Sequence, residues 1–118
     1  MRYKLIVSDE VEYTSRFTLN DGGADRVFGA RVRARRCPGD DLDAKLKTQG
    51  LLARDLLIAQ GLTLQAWDGD APLVDPQTGA PAPADADAMA DLLALPGLPN
   101  VLLTDYLSAN GARAKQGN

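Results

Sequence analysis

The sequence contains no histidine. That removes the side chain most often used as a general base near neutral pH and as a transition-metal ligand. There is one cysteine, Cys37, so no disulfide can form within the chain, which suits a reducing compartment. Cys37 precedes Pro38-Gly39 and has no histidine to activate it; it reads as a spectator at a strand end. Aromatic residues make up only 5% of the chain. A base-stacking surface needs exposed rings, and the core must rest on Leu, Val and Ala. No run approaches the roughly 20 apolar residues of a membrane helix. The N-terminal apolar run is interrupted at Asp9, too early for the core of a secretory signal. The expectation is a soluble, cytoplasmic protein with no membrane partner.

What is present fits one domain of 118 residues, 45% of them hydrophobic, with one modest core. The net charge of -3 is mild, but its distribution is uneven. Arg26 to Arg36 holds five arginines and no acid, whereas Asp55 to Ala112 holds eight aspartates and no lysine or arginine. Such a dipole fits either a basic sheet face with acidic loops or complementarity to a charged partner or a second copy of the chain.

The chain opens with period-two alternation at Tyr3, Leu5 and Val7, which predicts a first strand. Tyr13, Ser15, Phe17 and Leu19 alternate with Thr14, Arg16 and Thr18 as a second. Asn20-Asp21-Gly22-Gly23 is a strong turn signal, since Asn and Gly tolerate positive φ. Arg26 to Arg36 resumes the alternation, with Phe28, Ala30, Val32 and Ala34 on one face and Arg31, Arg33 and Arg35 on the other. The reading is a long hairpin, Tyr13–Leu19 with Arg26–Arg36, joined by the first strand into a three-stranded antiparallel sheet within residues 1–37. A row of like charges on one strand destabilises it unless neighbours or a partner offset them. The first reading is a solvated or edge face, where charge blocks edge-to-edge aggregation. The second makes Arg31, Arg33 and Arg35 candidate partner-binding residues for an acidic partner, with nucleic acid disfavoured by the overall negative charge and the scarcity of rings.

Residues 40–110 read as mainly helical. Asp40 or Asp41 suits an N-cap for a helix from about Leu42, and Gly50 reads as a break. Leu51, Leu52, Asp55, Leu56 and Ala59 follow with helical spacing, Leu52 and Leu56 on one face, and Gly61 closes the helix. Leu62 to Trp67 fits a short strand or a resumed helix. Asp68 to Ala84 is a long Pro- and Gly-rich connection, of a length usually functional or mobile. Within it Val74 to Gly79 reads as a turn. Asp85 caps a helix over Ala86 to Leu95 with Met89, Leu92 and Leu93 facing inward. Pro96 stops it. Pro99 suits the first turn of a last helix, with Leu102, Leu103, Tyr106 and Leu107 inward. Residues 111–118 read as a frayed, flexible tail. The fold class is thus α+β: a small antiparallel sheet, then three to four helices and a long loop.

Catalytic patterns do not emerge. Asp68-Gly69-Asp70 loosely matches a calcium loop, but later ligand spacing fails and no glutamate closes it. Asp40-Asp41-Leu42-Asp43 is better explained as a helix start, where acids favour the dipole. Gly22-Gly23 lacks the Lys and Ser/Thr of a phosphate-binding loop. Ser15 and Ser108 have no base partner. No metal, cofactor or enzymatic activity is expected.

The order of marks from Trp67 to the C-terminus, a stretch whose first part, Trp67 to Asn100, holds the only tryptophan and six of the seven prolines, supplies the functional reading. A helix is followed by Trp67-Asp68-Gly69. Then come Val74-Asp75-Pro76-Gln77-Thr78-Gly79, Ala80-Pro81, Met89-Ala90-Asp91-Leu92-Leu93 and Pro96-Gly97. A leucine-rich helix with Tyr106 and the end Arg113-Ala114-Lys115-Gln116-Gly117-Asn118 complete the series. This order resembles the tail assembly chaperones of tailed bacteriophages and prophages, over roughly the C-terminal two-thirds of the chain. The resemblance implies a non-enzymatic protein made in the bacterial cytoplasm. It would hold the helix-rich tape-measure protein soluble and help the major tail protein polymerise around it during virion morphogenesis. Trp67 and Tyr106 would then be candidate anchors, with Leu102 beside Tyr106 on the last helix. Two other classes compete: a structural tail or connector component, and a small nucleic-acid-associated regulator using Arg31, Arg33 and Arg35.

Overall fold

The computed structural model describes residues 3–48, 50 and 52–114. Two 12-residue strands, β1 (Glu10–Asp21) and β2 (Ala24–Arg35), form the long hairpin. They join through Gly22 and Gly23, both at positive φ (64° and 106°), and Asp21 faces Ala24. Two successive left-handed residues match the twist of a two-residue hairpin, and the Asn20 side chain accepts from the Gly23 amide. Next come a short helix α1 (Gly39–Asp43) running into a π-helical turn (Ala44–Thr48), then α2 (Ala53–Ala59), β3 (Thr63–Trp67), α3 (Ala86–Leu93) and α4 (Leu98–Asn110).

The sheet is antiparallel with order β1-β2-β3, as expected in class and strand number but not in the origin of its third strand. Residues 3–9 form no strand; the third strand is β3, from the segment that suited either strand or helix. Tyr3, Leu5 and Val7 are exposed, and Ile6, out of phase with them, is 100% exposed. With apolar side chains on both faces the segment has no buried face to fix a register. β3 instead pairs with β2 over Ala30–Arg33, with a bulge between Arg31 and Val32. The sheet is therefore completed from within the part expected to be helical.

One face of the sheet is apolar. Val11, Phe17, Phe28, Ala30, Val32, Ala34 and Leu64 point inward and join Leu56, Leu57, Met89, Leu92, Leu98, Leu102 and Tyr106 in one cluster. α4 lies against β1 and also meets α2 and α3. The helix boundaries follow their punctuation. Asp85 caps α3 by accepting from the Ala88 amide at 2.9 Å. Gly97 (φ 83°) turns the chain into α4, with Pro99 in its first turn. Before α1 the position expected for a capping aspartate is taken by Pro38, and Asp40 and Asp41 fall inside the first turn, where their charge still favours the dipole. α2 buries Leu56 and Leu57, whereas Leu52, expected on its inner face, is 72% exposed. Leu52 precedes the helix as its extended N-cap residue, so helical periodicity does not apply to it. On α4 the inward residues are Leu98, Leu102 and Tyr106; Leu103 is only half-buried and Leu107 is exposed. Leu51 and residues 115–118 of the expected tail lie outside the described residues.

The loop after β3 is folded back on itself. Val74 bridges Pro81, and the Asp75 side chain accepts from the Gln77 and Thr78 amides. Gly29, on the outer face of β2, is a required glycine. A Cβ there would lie 2.9 Å from the Cβ of Asp68, whose amide donates to the Gly29 carbonyl at 2.9 Å.

One inward residue breaks the apolar pattern. Ser15 is fully buried and, among the described residues, its hydroxyl has no hydrogen-bond partner. A buried hydroxyl without a partner is a net penalty. Ser15→Ala is expected to stabilise the fold by about 1 kcal/mol, read as a higher urea midpoint with an unchanged slope.

Candidate interaction surface

The outer sheet face carries the arginine row, and the structure shows what offsets it. β1 places acids beside the arginines of β2. Arg31 pairs with Glu12 at 3.5 Å, and Arg33 reaches Glu10 at 3.5 Å and Glu12 at 3.7 Å. Arg16 pairs with Asp68 across the gap that Gly29 leaves. All these side chains are at least two-fifths exposed, so each pair contributes at most about 1 kcal/mol. The face is a ladder of alternating sign, not a cationic strip. Arg35 lies apart from that ladder. Its Nη2 donates to the Ala59 carbonyl at 2.7 Å, and its guanidinium lies against Gly61. It thereby satisfies a carbonyl at the C-terminal end of α2.

The two candidate anchors separate. Tyr106 and its neighbour Leu102 are fully buried, which leaves them no side-chain surface for a partner; they serve the core. Trp67 is half-buried and its indole N–H donates to the Ala82 carbonyl at 2.7 Å. It ties the proline-rich loop to the end of β3.

Tyr106 belongs to a polar clasp around the end of β2 that residue patterns did not reveal. Its hydroxyl donates to the Arg35 carbonyl at 2.7 Å. The Gln60 amide group donates to the carbonyls of Arg35 and Arg36 and accepts from Lys45 Nζ at 2.7 Å. Asn110 accepts from the Cys37 amide at 2.8 Å and donates to its carbonyl at 2.9 Å. The Arg36 amide donates to the Asp9 carbonyl and its side chain to the carbonyls of Ser8 and Asn110. No sequence signal marks Gln60 or Asn110, because each acts through backbone that only the fold brings near.

Two apolar grooves open beside the ends of α4. The first, of about 490 Å³, lies between the hairpin and the start of α4, lined by Phe17, Leu19, Val27, Leu98 and Val101. The second, of about 790 Å³, lies at the clasp. Leu5, Pro38, Leu42 and Leu107 form its apolar lining, with Asp9, Arg35 and Arg36 also on its wall. Among the described residues no three acidic or cysteine side chains converge into a set that could hold a metal ion, and no single helix is long and apolar enough to cross a membrane. No family model, curated protein or solved structure matches the chain.

Burial raises the phenol of Tyr13 far above its ordinary range, with Asp105 and Tyr106 adding to the effect, and burial likewise raises that of Tyr106. A raised acid keeps its proton in the folded state where the unfolded chain has lost it. Its contribution is therefore complete below about pH 10 and is lost as pH rises further. Urea unfolding is expected to show a stability insensitive to these two groups between about pH 7 and 9 that falls above about pH 10. In Tyr13→Phe the alkaline fall should be shallower.

Proposed function

We propose that this chain is a tail assembly chaperone that binds the tape-measure protein, and through it the major tail protein, without chemistry of its own. The observation that carries the reading is the groove at the C-terminal end of α4. Leu5, Pro38, Leu42 and Leu107 offer an apolar floor, with Asp9, Arg35 and Arg36 beside them. An apolar groove with charged flanks fits the apolar stripe of an amphipathic helix, which a tape-measure protein exposes along its length before the tail tube encloses it. Exposed aliphatic side chains nearby, Leu5, Ile6 and Leu107, extend that surface. Supporting it is the order of marks that resembles the chaperone family. One mark departs from that order, since the strand β3 and not a helix leads directly into Trp67-Asp68-Gly69; the Val74–Gly79 turn is folded back, α3 carries Leu92 and Leu93, and α4 carries Tyr106. The anchor role passes from Tyr106 and Leu102 to the rim residues Leu5 and Leu107, which a partner can reach.

The test is co-expression with the cognate tape-measure protein. The chain is expected to keep that protein soluble and to co-purify with it. Leu5→Asp combined with Leu107→Asp should leave the circular dichroism of the chain unchanged and reduce co-purification by about tenfold or more, the scale of losing an interface anchor. If the tape-measure protein aggregates regardless and the chain instead remains in finished tails, the chain is a structural tail component and the chaperone reading fails.

A further inference from the structure

The sheet leaves a long strand unpaired on one side. In the sheet order β1-β2-β3, β1 is an edge. Because Asp21 faces Ala24 across a two-residue turn, the odd-numbered residues of β1 bond to β2 and the even-numbered ones aim their amides and carbonyls outward. The Glu10 amide is turned outward in this way and donates to Ser8 Oγ. Among the described residues, the main-chain groups of Glu12, Thr14, Arg16 and Thr18 bond to no other segment. The strand has no proline and no bulge against β2. It thus lacks two of the usual devices that spoil an edge.

We propose that this edge pairs antiparallel with β1 of a second copy, about a two-fold axis at Thr14, to give a continuous six-stranded sheet. Charge selects the occupant, and charge with overlap selects the register. Side chains keep their faces only if residues of equal parity meet. An axis at Glu12 would set Glu12 against Glu12, and an axis at Arg16 would set Arg16 against Arg16. An axis at Ser15 would bring no opposite charges together. One at Tyr13 would set Glu10 against Arg16 but pair only the span from Glu10 to Arg16, whereas an axis at Thr14 pairs the span from Glu10 to Thr18. An axis at Thr14 sets Glu12 of each copy opposite Arg16 of the other, twice by symmetry, and Glu10 opposite Thr18. The outward-aimed main-chain groups of Glu12, Thr14 and Arg16 then meet as hydrogen-bonded pairs. The two charges are already the outer rungs of the ladder within each chain, Glu12 beside Arg31 and Arg33, and Arg16 beside Asp68. Pairing extends that alternation of sign across the new seam. The inference stands independently of the chaperone reading.

The experiment uses the full chain alone. Sedimentation equilibrium should give the mass of two chains. Thr14→Pro removes an amide that β2 does not use, as edge positions tolerate, and should give one chain with unchanged circular dichroism. Thr14→Cys stands on the axis, where opposed Cα atoms lie about 5.5 Å apart, within disulfide reach. On mild oxidation it should cross-link into dimers. Thr18→Cys, which faces Glu10, should not, and neither should the parent chain, whose Cys37 is buried. Should Thr14→Pro unfold the chain, the cysteine pair still decides. A parent chain that stays monomeric at several hundred micromolar overturns the proposal. So does cross-linking at Thr18 in place of Thr14, or pairing of the edge only with a strand of a tail protein.

Discussion

The end of β2 is the point on which the rest of the structure depends. A strand that finishes inside a protein leaves its last amides and carbonyls without a ladder, and buried groups of that kind are costly unless paired. Here they are paired from three directions. Tyr106 and Asn110 reach in from α4, Gln60 from the end of α2, and the carbonyls of Ser8 and Asp9 receive Arg36. Of those segments α2 has only seven residues, and Ser8 and Asp9 add nothing to the core. The helical layer is thus held to the sheet by apolar packing across its middle and by a polar clasp at one end. The clasp also forms one wall of the groove that carries the functional reading, since Arg35, Arg36, Cys37 and Asn110 line it beside Leu42 and Leu107.

The outer face obeys a different constraint. Three arginines at period two on one strand would repel one another in isolation. Glu10 and Glu12 on β1 and the helix end beneath Arg35 neutralise them locally. What the face presents outward is therefore mixed charge with a repeating sign, the kind of surface that recognises its own complement and disfavours a polyanion. Apolar grooves open elsewhere, at the two ends of α4.

Much of this was legible from the residues and some was not, for reasons that differ by segment. The hairpin followed from strict alternation and a Gly-Gly turn, because period-two burial and positive φ are local properties. The capped start of α3 and the Gly-Pro entry to α4 were local as well. The strand expected over Tyr3–Val7 did not form, because alternation over so few residues with Ile6 on the opposite face specifies no register, while β3 occupied the edge of β2. Leu52 fell outside the helix its spacing fitted, since Gly50 (φ 63°) and an extended Leu52 delay the helix start to Ala53. The site was the least legible part. Tyr106 reads first as core, at helical spacing with Leu102 and Leu103, and as an anchor only through the resemblance, and its full burial decides for the core. The groove residues Leu5, Pro38 and Leu107 lie far apart in sequence and meet only through the clasp.

The clasp is tested most directly at Asn110, which satisfies both the amide and the carbonyl of the buried Cys37. Asn110→Ala leaves that peptide with two unpaired groups at the junction of strand and helix. A loss of about 2–4 kcal/mol in urea unfolding is expected. Faster hydrogen exchange at the Arg36 and Cys37 amides should accompany it. A loss below about 0.5 kcal/mol, the range of an ordinary surface substitution, would contradict the claim that this junction holds the helices to the sheet.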